Sequence, residues 1–258
     1  MSVTDPTAFA PSPARIAPRP GAIRLFGLDL LDAAPGRALS RLLDRGRVTA
    51  AFVNAHCVNV AMHDPAYRAA LTGADLLLPD GAGIAIAARL QGERFTANLN
   101  GTDLFLPLCE AAAVRDLSVY FLGSAPGVAE GAARAARRRV PALRVAGHRH
   151  GYFESDGPVL SDIAASGADI VLVAMGVPRQ ELWIARHRSA IQARLVVGVG
   201  AQFDFWSGRM PRAPEPLRRA GLEWVYRLGL EPRRMAGRYV AGNPAFLARA
   251  VRARLRAA

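Results

Sequence analysis

Lysine is absent from this 258-residue chain, so all 33 of its Lys-plus-Arg positions are arginine. Cysteine is nearly absent too. Cys57 and Cys109 cannot build a disulfide framework, and their spacing fits no zinc motif. Both sit in apolar segments, which points to buried free thiols in a reducing compartment. No apolar run approaches the ~18 residues of a transmembrane helix. Met1–Gly21 is rich in Pro and Ala without an apolar core segment, so it reads as a disordered leader and not a secretory signal. The expected location is therefore cytoplasmic, with any membrane contact peripheral on the inner face. A Walker A loop, a dinucleotide fingerprint, a Ser/His/Asp elbow and an HExxH helix are all missing, which weighs against triphosphatase, NAD and hydrolase readings. His148-Arg149-His150 lacks the Cys or carboxylate partners of a metal motif, so a loop or ligand-contact role is expected there; no cofactor is expected for the chain. No internal repeat of fixed period occurs.

What is present is a soluble globular composition, 51% hydrophobic and 21% charged. The length suits one domain plus an extension. The formal charge of +12 is unevenly spread: from Phe205 to Ala258 there are 12 Arg against 3 Glu, a net of +9. A tail of that sign suits anionic lipid, phosphate or nucleic acid. Part of it also suits a solvated helical surface.

Short, nearly continuous apolar runs alternate with helical patterns between Thr49 and Gly200. The expected fold class is α/β, a Rossmann-like, mostly parallel sheet with helices on both faces. Strands are expected at Thr49–Val53, Leu76–Leu78 (taken as central), Ser118–Leu122, Leu143–Ala146, Asp169–Met175 and Leu195–Val199. Ile23–Leu31 is expected as a single edge strand. Three prolines between Met210 and Pro216 mark a linker, followed by a C-terminal helical appendage. The expected division is thus leader 1–21, α/β domain 22–208 and basic appendage 209–258.

Chemistry concentrates after the strands. Leu76-Leu77-Leu78-Pro79 runs into Asp80-Gly81-Ala82-Gly83, which puts a carboxylate and flexible glycines at a strand's carboxyl end. Asp80 is equally able to cap the helix that follows. The other loops bring Asn54 and His56; Asn98, Asn100 and Thr102; Gly123, opening a Gly-rich turn before a helix; and Gln180 with Glu181. In a parallel sheet these ends point one way, so together with Gly81 they form a candidate substrate-binding set. One carboxylate, several amides and glycine turns suit a polar, neutral-to-anionic ligand such as a nucleotide sugar.

Several motifs stand in order: Val53-Asn54-Ala55-His56, Leu78-Pro79-Asp80-Gly81-Ala82-Gly83, Asn100-Gly101-Thr102-Asp103, and Gly176-Val177-Pro178-Arg179-Gln180-Glu181. Arg212-Ala213-Pro214, Gly221-Leu222-Glu223-Trp224 and Gly242-Asn243-Pro244 follow. Between about Val53 and Phe246 the chain resembles the WecG/TagA/CpsF bacterial glycosyltransferases, glycosyltransferase family 26. The resemblance implies inverting, metal-independent transfer of a hexose or N-acetylhexosamine from a UDP-sugar to a polyprenyl-diphosphate-linked saccharide, in cell-surface polysaccharide synthesis. It implies Asp80 as general base, and Asn54 and Gln180 in the donor and acceptor pocket. It implies Arg227, Arg234 and Arg238 on the acceptor diphosphate, at an anionic membrane surface. Arginine suits that task because its planar fork pairs with phosphate oxygens. Two positions depart from the family's pattern: Asn98 stands where many members carry arginine, with Arg94 a candidate substitute, and Phe52 stands where Thr is common. The alternative is a nucleotide-sensing module gripping nucleic acid or anionic lipid through its tail. The tail's arginines, interleaved with Trp224 and Tyr226, match no nucleic-acid motif, so no nucleic acid is expected. A homo-oligomer formed through apolar surface beneath the tail is a further expectation.

Overall fold

The computed structural model describes residues 19–255, apart from the side chain of Arg234. The expected leader therefore falls outside the described residues except for its last three positions. Within them an eight-stranded sheet forms, built from β1 (Ala22–Leu25), β2 (Leu28–Leu31), β3 (Val48–Val53), β4 (Leu76–Pro79), β5 (Ser118–Gly123), β6 (Arg144–Arg149), β7 (Ile170–Ala174) and β8 (Leu195–Gly198). Their order is β1-β2-β4-β3-β8-β7-β5-β6. Every neighbouring pair is parallel except β1 with β2. The Rossmann-like expectation is met.

Alternation along the strands explains why both faces are covered. Val119 and Phe121, Ile170 and Leu172, and Leu195 and Val197 enter one core, shared with α1 (Pro35–Leu43), α5 (Gly101–Val114) and α6 (Val128–Arg139). The residues between them, such as Tyr120, Leu122, Val171 and Val196, enter the opposite core beneath α7 (Asp156–Ser166) and α8 (Arg179–His187). Ala51, Val53 and Leu77 share that second face with α2 (Ala55–Ala61), α3 (Pro65–Gly73) and α4 (Ala82–Leu90). A period of two with apolar residues on both sides is the pattern of a buried parallel sheet.

Three expectations need correction. Ile23–Leu31 is not one strand but a hairpin, because Phe26 and Gly27 both take positive φ, +55° and +80°. That is the two-residue turn whose twist suits paired antiparallel strands. Phe26, although in the turn, packs against the same core as Leu28, its ring 5.3 Å from that of Phe246. The strand taken as central, β4, is third from one edge, and the middle pair is β3 and β8. His148, expected in a loop, belongs to edge strand β6.

Past β8 come α9 (Gln202–Trp206), then α10 (Glu215–Arg219), α11 (Glu223–Leu230) and α12 (Pro232–Ala236). A π-helical turn at Gly237–Ala241 leads into α13 (Gly242–Leu255). This helical tail returns to the sheet domain. Phe246 and Ala250 of α13 are buried against α2 and α4, and Asn59 donates to the Gly242 carbonyl at 2.7 Å. Burying a phenylalanine contributes about 1.5–3 kcal/mol, so α13 is held by packing as well as by polar contacts. No helix among the described residues is long and apolar enough to cross a membrane.

Candidate active site

β3 feeds α2 and α3 toward β4 on one side, while β8 is reached from β7 on the other. The chain direction therefore diverges between β3 and β8, and a crevice opens above their carboxyl ends. It holds a cavity of about 610 Å³, walled by the loops after β4, β3, β8 and β7 and roofed by the C-terminal helices.

Asp80 leaves the end of β4 with its backbone N–H still bonded to the Val53 carbonyl, 2.9 Å. Its carboxylate is thereby set beside Asn54, the residue after β3. Asn54 donates from Nδ2 to Asp80 Oδ2 at 3.1 Å. Its Oδ1 accepts from the backbone N–H groups of His56 and Cys57, which caps α2. Desolvation raises the Asp80 pKa above the usual carboxylate range, and nearby Asp103 adds to the rise. The Asn54 hydrogen bond and the charges of Arg238 and Arg227 oppose it. Gly81, not Asp80, occupies the cap position of α4, with no side-chain capping bond. The capping alternative for Asp80 is set aside by that geometry. Burial, reinforced by Arg238, pushes the His56 imidazole down to about 4, so it is neutral at physiological pH.

Asn98 accepts from the Gly81 N–H at 3.3 Å, and Asn100 caps α5 through Asp103 N–H at 2.9 Å. Thr102 receives a hydrogen bond from Gln202 Nε2 at 3.1 Å. All three line the cavity, as do Asn54, His56, Gly81 and Gln180. Two members of the candidate set do not. Gly123 ends β5, one strand beyond the cavity wall. There a Cβ would stand 2.3 Å from the Ala174 carbonyl oxygen, so its glycine answers a backbone crossing. Glu181 turns inward behind Gln180, only 4% exposed. Burial raises its pKa to about 7 against the opposing Gln180 hydrogen bond.

The roof is cationic. Arg227 and Arg238 both line the cavity, while the side chain of Arg234 lies outside the described residues. Arg227 stacks over the Phe205 ring at 5.4 Å, and its buried Nε and Nη2 have no hydrogen-bond partner; nor has Arg238 Nε. Buried donors left unpaired in this way are normally satisfied by something. Asp103 pairs with Arg212 and lies 4.0 Å from Arg218. Burial works against its charge, but the hydrogen bonds from Arg212 and Asn100 outweigh it and hold its carboxyl below the usual range. Arg212 also approaches Glu223 at 3.9 Å, so the linker is clipped to the mouth of the site.

Among wall residues outside the candidate set are Gln202, Phe52, Phe205 and Arg212. Gln202 and Phe205 follow β8, a strand-end position that flags them. Arg212 sits in the proline-rich stretch, where local sequence reads as linker. Among the described residues no group of three or more His, Cys, Asp or Glu side chains is placed to hold a metal ion.

Comparison with known proteins follows the same line. The model of the glycosyl transferase WecG/TagA/CpsF family matches residues 23–258. An N-acetylglucosaminyldiphosphoundecaprenol N-acetyl-beta-D-mannosaminyltransferase of Bacillus spizizenii is 38% identical over 174 residues, 67% of this chain and 68% of that protein. The protein of the same name from Bacillus subtilis is 32% identical over 180 residues, 70% of each chain. That from Staphylococcus aureus is 30% identical over 183 residues, 70% of this chain and 72% of the relative.

Proposed function

The chain belongs to the WecG/TagA/CpsF family of glycosyl transferases, and from that premise we propose that it moves an N-acetylmannosamine-type sugar from a UDP-sugar to a polyprenyl-diphosphate-linked acceptor. The relatives' names specify an N-acetylglucosaminyl-diphosphoundecaprenol acceptor and a β-linked product. One observation carries the reading for this chain. A half-buried carboxylate, Asp80, shares a single cavity with two guanidinium groups, Arg227 and Arg238, that hold unpaired buried donors.

In the proposed step the acceptor hydroxyl lies against Asp80 and gives up its proton to the carboxylate as its oxygen bonds to the anomeric carbon. The bond from that carbon to the UDP oxygen breaks, and UDP departs with the electron pair. A single displacement of this kind inverts the anomeric centre, so an α-linked donor yields a β-linked product. Deprotonation matters because the hydroxyl is a weak nucleophile at its own pKa. The Asn54 amide keeps one carboxylate oxygen aimed. Arg227 and Arg238 supply planar, charged donors for the acceptor diphosphate.

The proposed division of labour keeps 22–208 as the catalytic domain and 209–258 as an appendage that completes the site at an anionic membrane surface. Exposed Leu222, Val225, Leu230, Val240 and Val251 alongside the tail's arginines support peripheral contact. The test is UDP release from UDP-N-acetylmannosamine, UDP-N-acetylglucosamine and UDP-glucose with a polyprenyl-diphosphate N-acetylglucosamine acceptor. Acceptor-dependent release with one donor, abolished by truncation after Gly208, is the expected result. No release with any donor overturns the reading.

A further inference from the structure

Gly176 and Gly200 follow β7 and β8 on the cavity wall, with φ of +78° and +59°, a conformation that glycine adopts without strain. Both of their N–H groups donate to one atom, Gln180 Oε1, at 3.2 and 3.0 Å. Two converging backbone donors fix the sense of the amide, since the NH₂ end could serve neither. That end points the other way: Gln180 Nε2 donates to Glu181 Oε1 at 2.7 Å. Gly198 of β8 makes the arrangement possible, because a Cβ there would stand 2.8 Å from Gln180 Nε2.

Glu181 is an unusual partner for an amide. It is 4% exposed, its Oε2 has no hydrogen-bond partner, and among the described residues no cation forms a salt bridge with it. The other titratable groups coupled to it electrostatically are Cys57 of α2 and Tyr67 of α3. Neither can neutralise a carboxylate. A buried carboxyl without a cation is expensive to keep, and its one hydrogen bond to another side chain among the described residues is from Gln180, which lines the cavity.

We infer that Glu181 is a positioning residue for the sugar transfer: its carboxyl holds the Gln180 amide so that Oε1 clamps the Gly176 and Gly200 turns that wall the substrate cavity. The inference rests on the reading of that cavity as the transfer site. It differs from a direct substrate role for Glu181, whose oxygens do not line the cavity, and it accounts for a Gln-Glu pair in which only the first residue reaches the wall.

The test compares Glu181→Leu, Glu181→Gln, Gln180→Glu and the exchanged pair Gln180→Glu/Glu181→Gln. Each is assayed well below its melting temperature, with UDP-sugar and lipid acceptor varied separately. Leu removes the acceptor atom, and kcat/KM falls roughly 10- to 100-fold, the scale of a small misplacement of binding groups. Gln keeps an acceptor for Gln180 Nε2 and returns activity to within about threefold of wild type. Gln180→Glu sets two carboxyls against each other and impairs transfer. The exchanged pair restores a donor opposite an acceptor, and much of the activity returns. Should the Leu variant not fold, the exchange alone decides. A folded Leu variant with wild-type kinetics, or an exchanged pair no better than Gln180→Glu, overturns the inference. A wild-type protein that releases no UDP overturns the reading of the cavity itself, and the inference falls with it.

Discussion

Asn54 and Asp80 close a link between two adjacent strand ends, with the Asn54 amide donating to Asp80 Oδ2 at 3.1 Å while its own oxygen caps α2. The carboxylate is thereby aimed by a group that is itself immobilised by a helix. If Asp80 is the base, Asp80→Asn keeps the fold and donor binding but lowers turnover roughly 10²- to 10⁴-fold. Calorimetry with UDP-sugar alongside UDP-release rates separates the two effects. Near-normal turnover would remove Asp80 from the mechanism.

The pH profile carries a second expectation. Burial raises the Asp80 pKa, and Arg238 and Arg227 hold it back. The base must be ionised, so the acidic limb of kcat/KM should lie above the ordinary carboxylate range. Arg238→Gln removes one opposing charge and should shift that limb to higher pH, besides weakening the lipid acceptor. A limb that moves to lower pH contradicts the assignment. His56, held near 4, stays neutral across this window and does not set it.

Glu181 makes stability itself pH-dependent. Its pKa in the fold, about 7, lies above the ordinary glutamate value of 4.5. The stability tied to its protonated form is fully present below the unfolded value and is lost as pH rises through about 7. The full difference corresponds to about 3 kcal/mol. Urea melts at pH 5 and pH 8 should therefore show a smaller drop for Glu181→Gln than for wild type. Equal drops would mean that Glu181 does not titrate in this window.

At Gly123 the prediction separates a backbone role from a phosphate contact. An added Cβ would lie 2.3 Å from the Ala174 carbonyl, at a φ of +136°. Gly123→Ala should destabilise by more than about 2 kcal/mol through strain and displacement of β7, read by thermal melting. Unchanged stability with weakened UDP binding would instead favour a ligand role.

Docking of the tail depends on Phe246, which packs on Phe26 and lies over Gly83. Phe246→Ala should remove about 3–5 kcal/mol from that docking. Limited proteolysis is then expected near residues 209–221, with the sheet domain left intact. If the cut does not appear, the polar contacts of Asn59 and Arg249 hold α13 unaided.

Much of this protein was legible in the chain itself. Apolar runs with glycine and proline punctuation predict the parallel sheet, because burial on both faces requires continuous hydrophobicity. A charge count alone separates the basic tail from the sheet domain. The set of loops that converge was also visible, since parallel strands present their carboxyl ends together. Tertiary structure decided the rest. Strand order left Gly123 one strand away from the cavity, and no local pattern encodes order. The Phe26-Gly27 turn folded one apparent strand into two, because a single non-glycine residue at positive φ has no sequence signature. Gln180 and Glu181 are neighbours in sequence with opposite fates, one on the wall and one behind it. Gln180 is held on the cavity wall by two glycine N–H groups, separated along the chain, that meet at its amide oxygen.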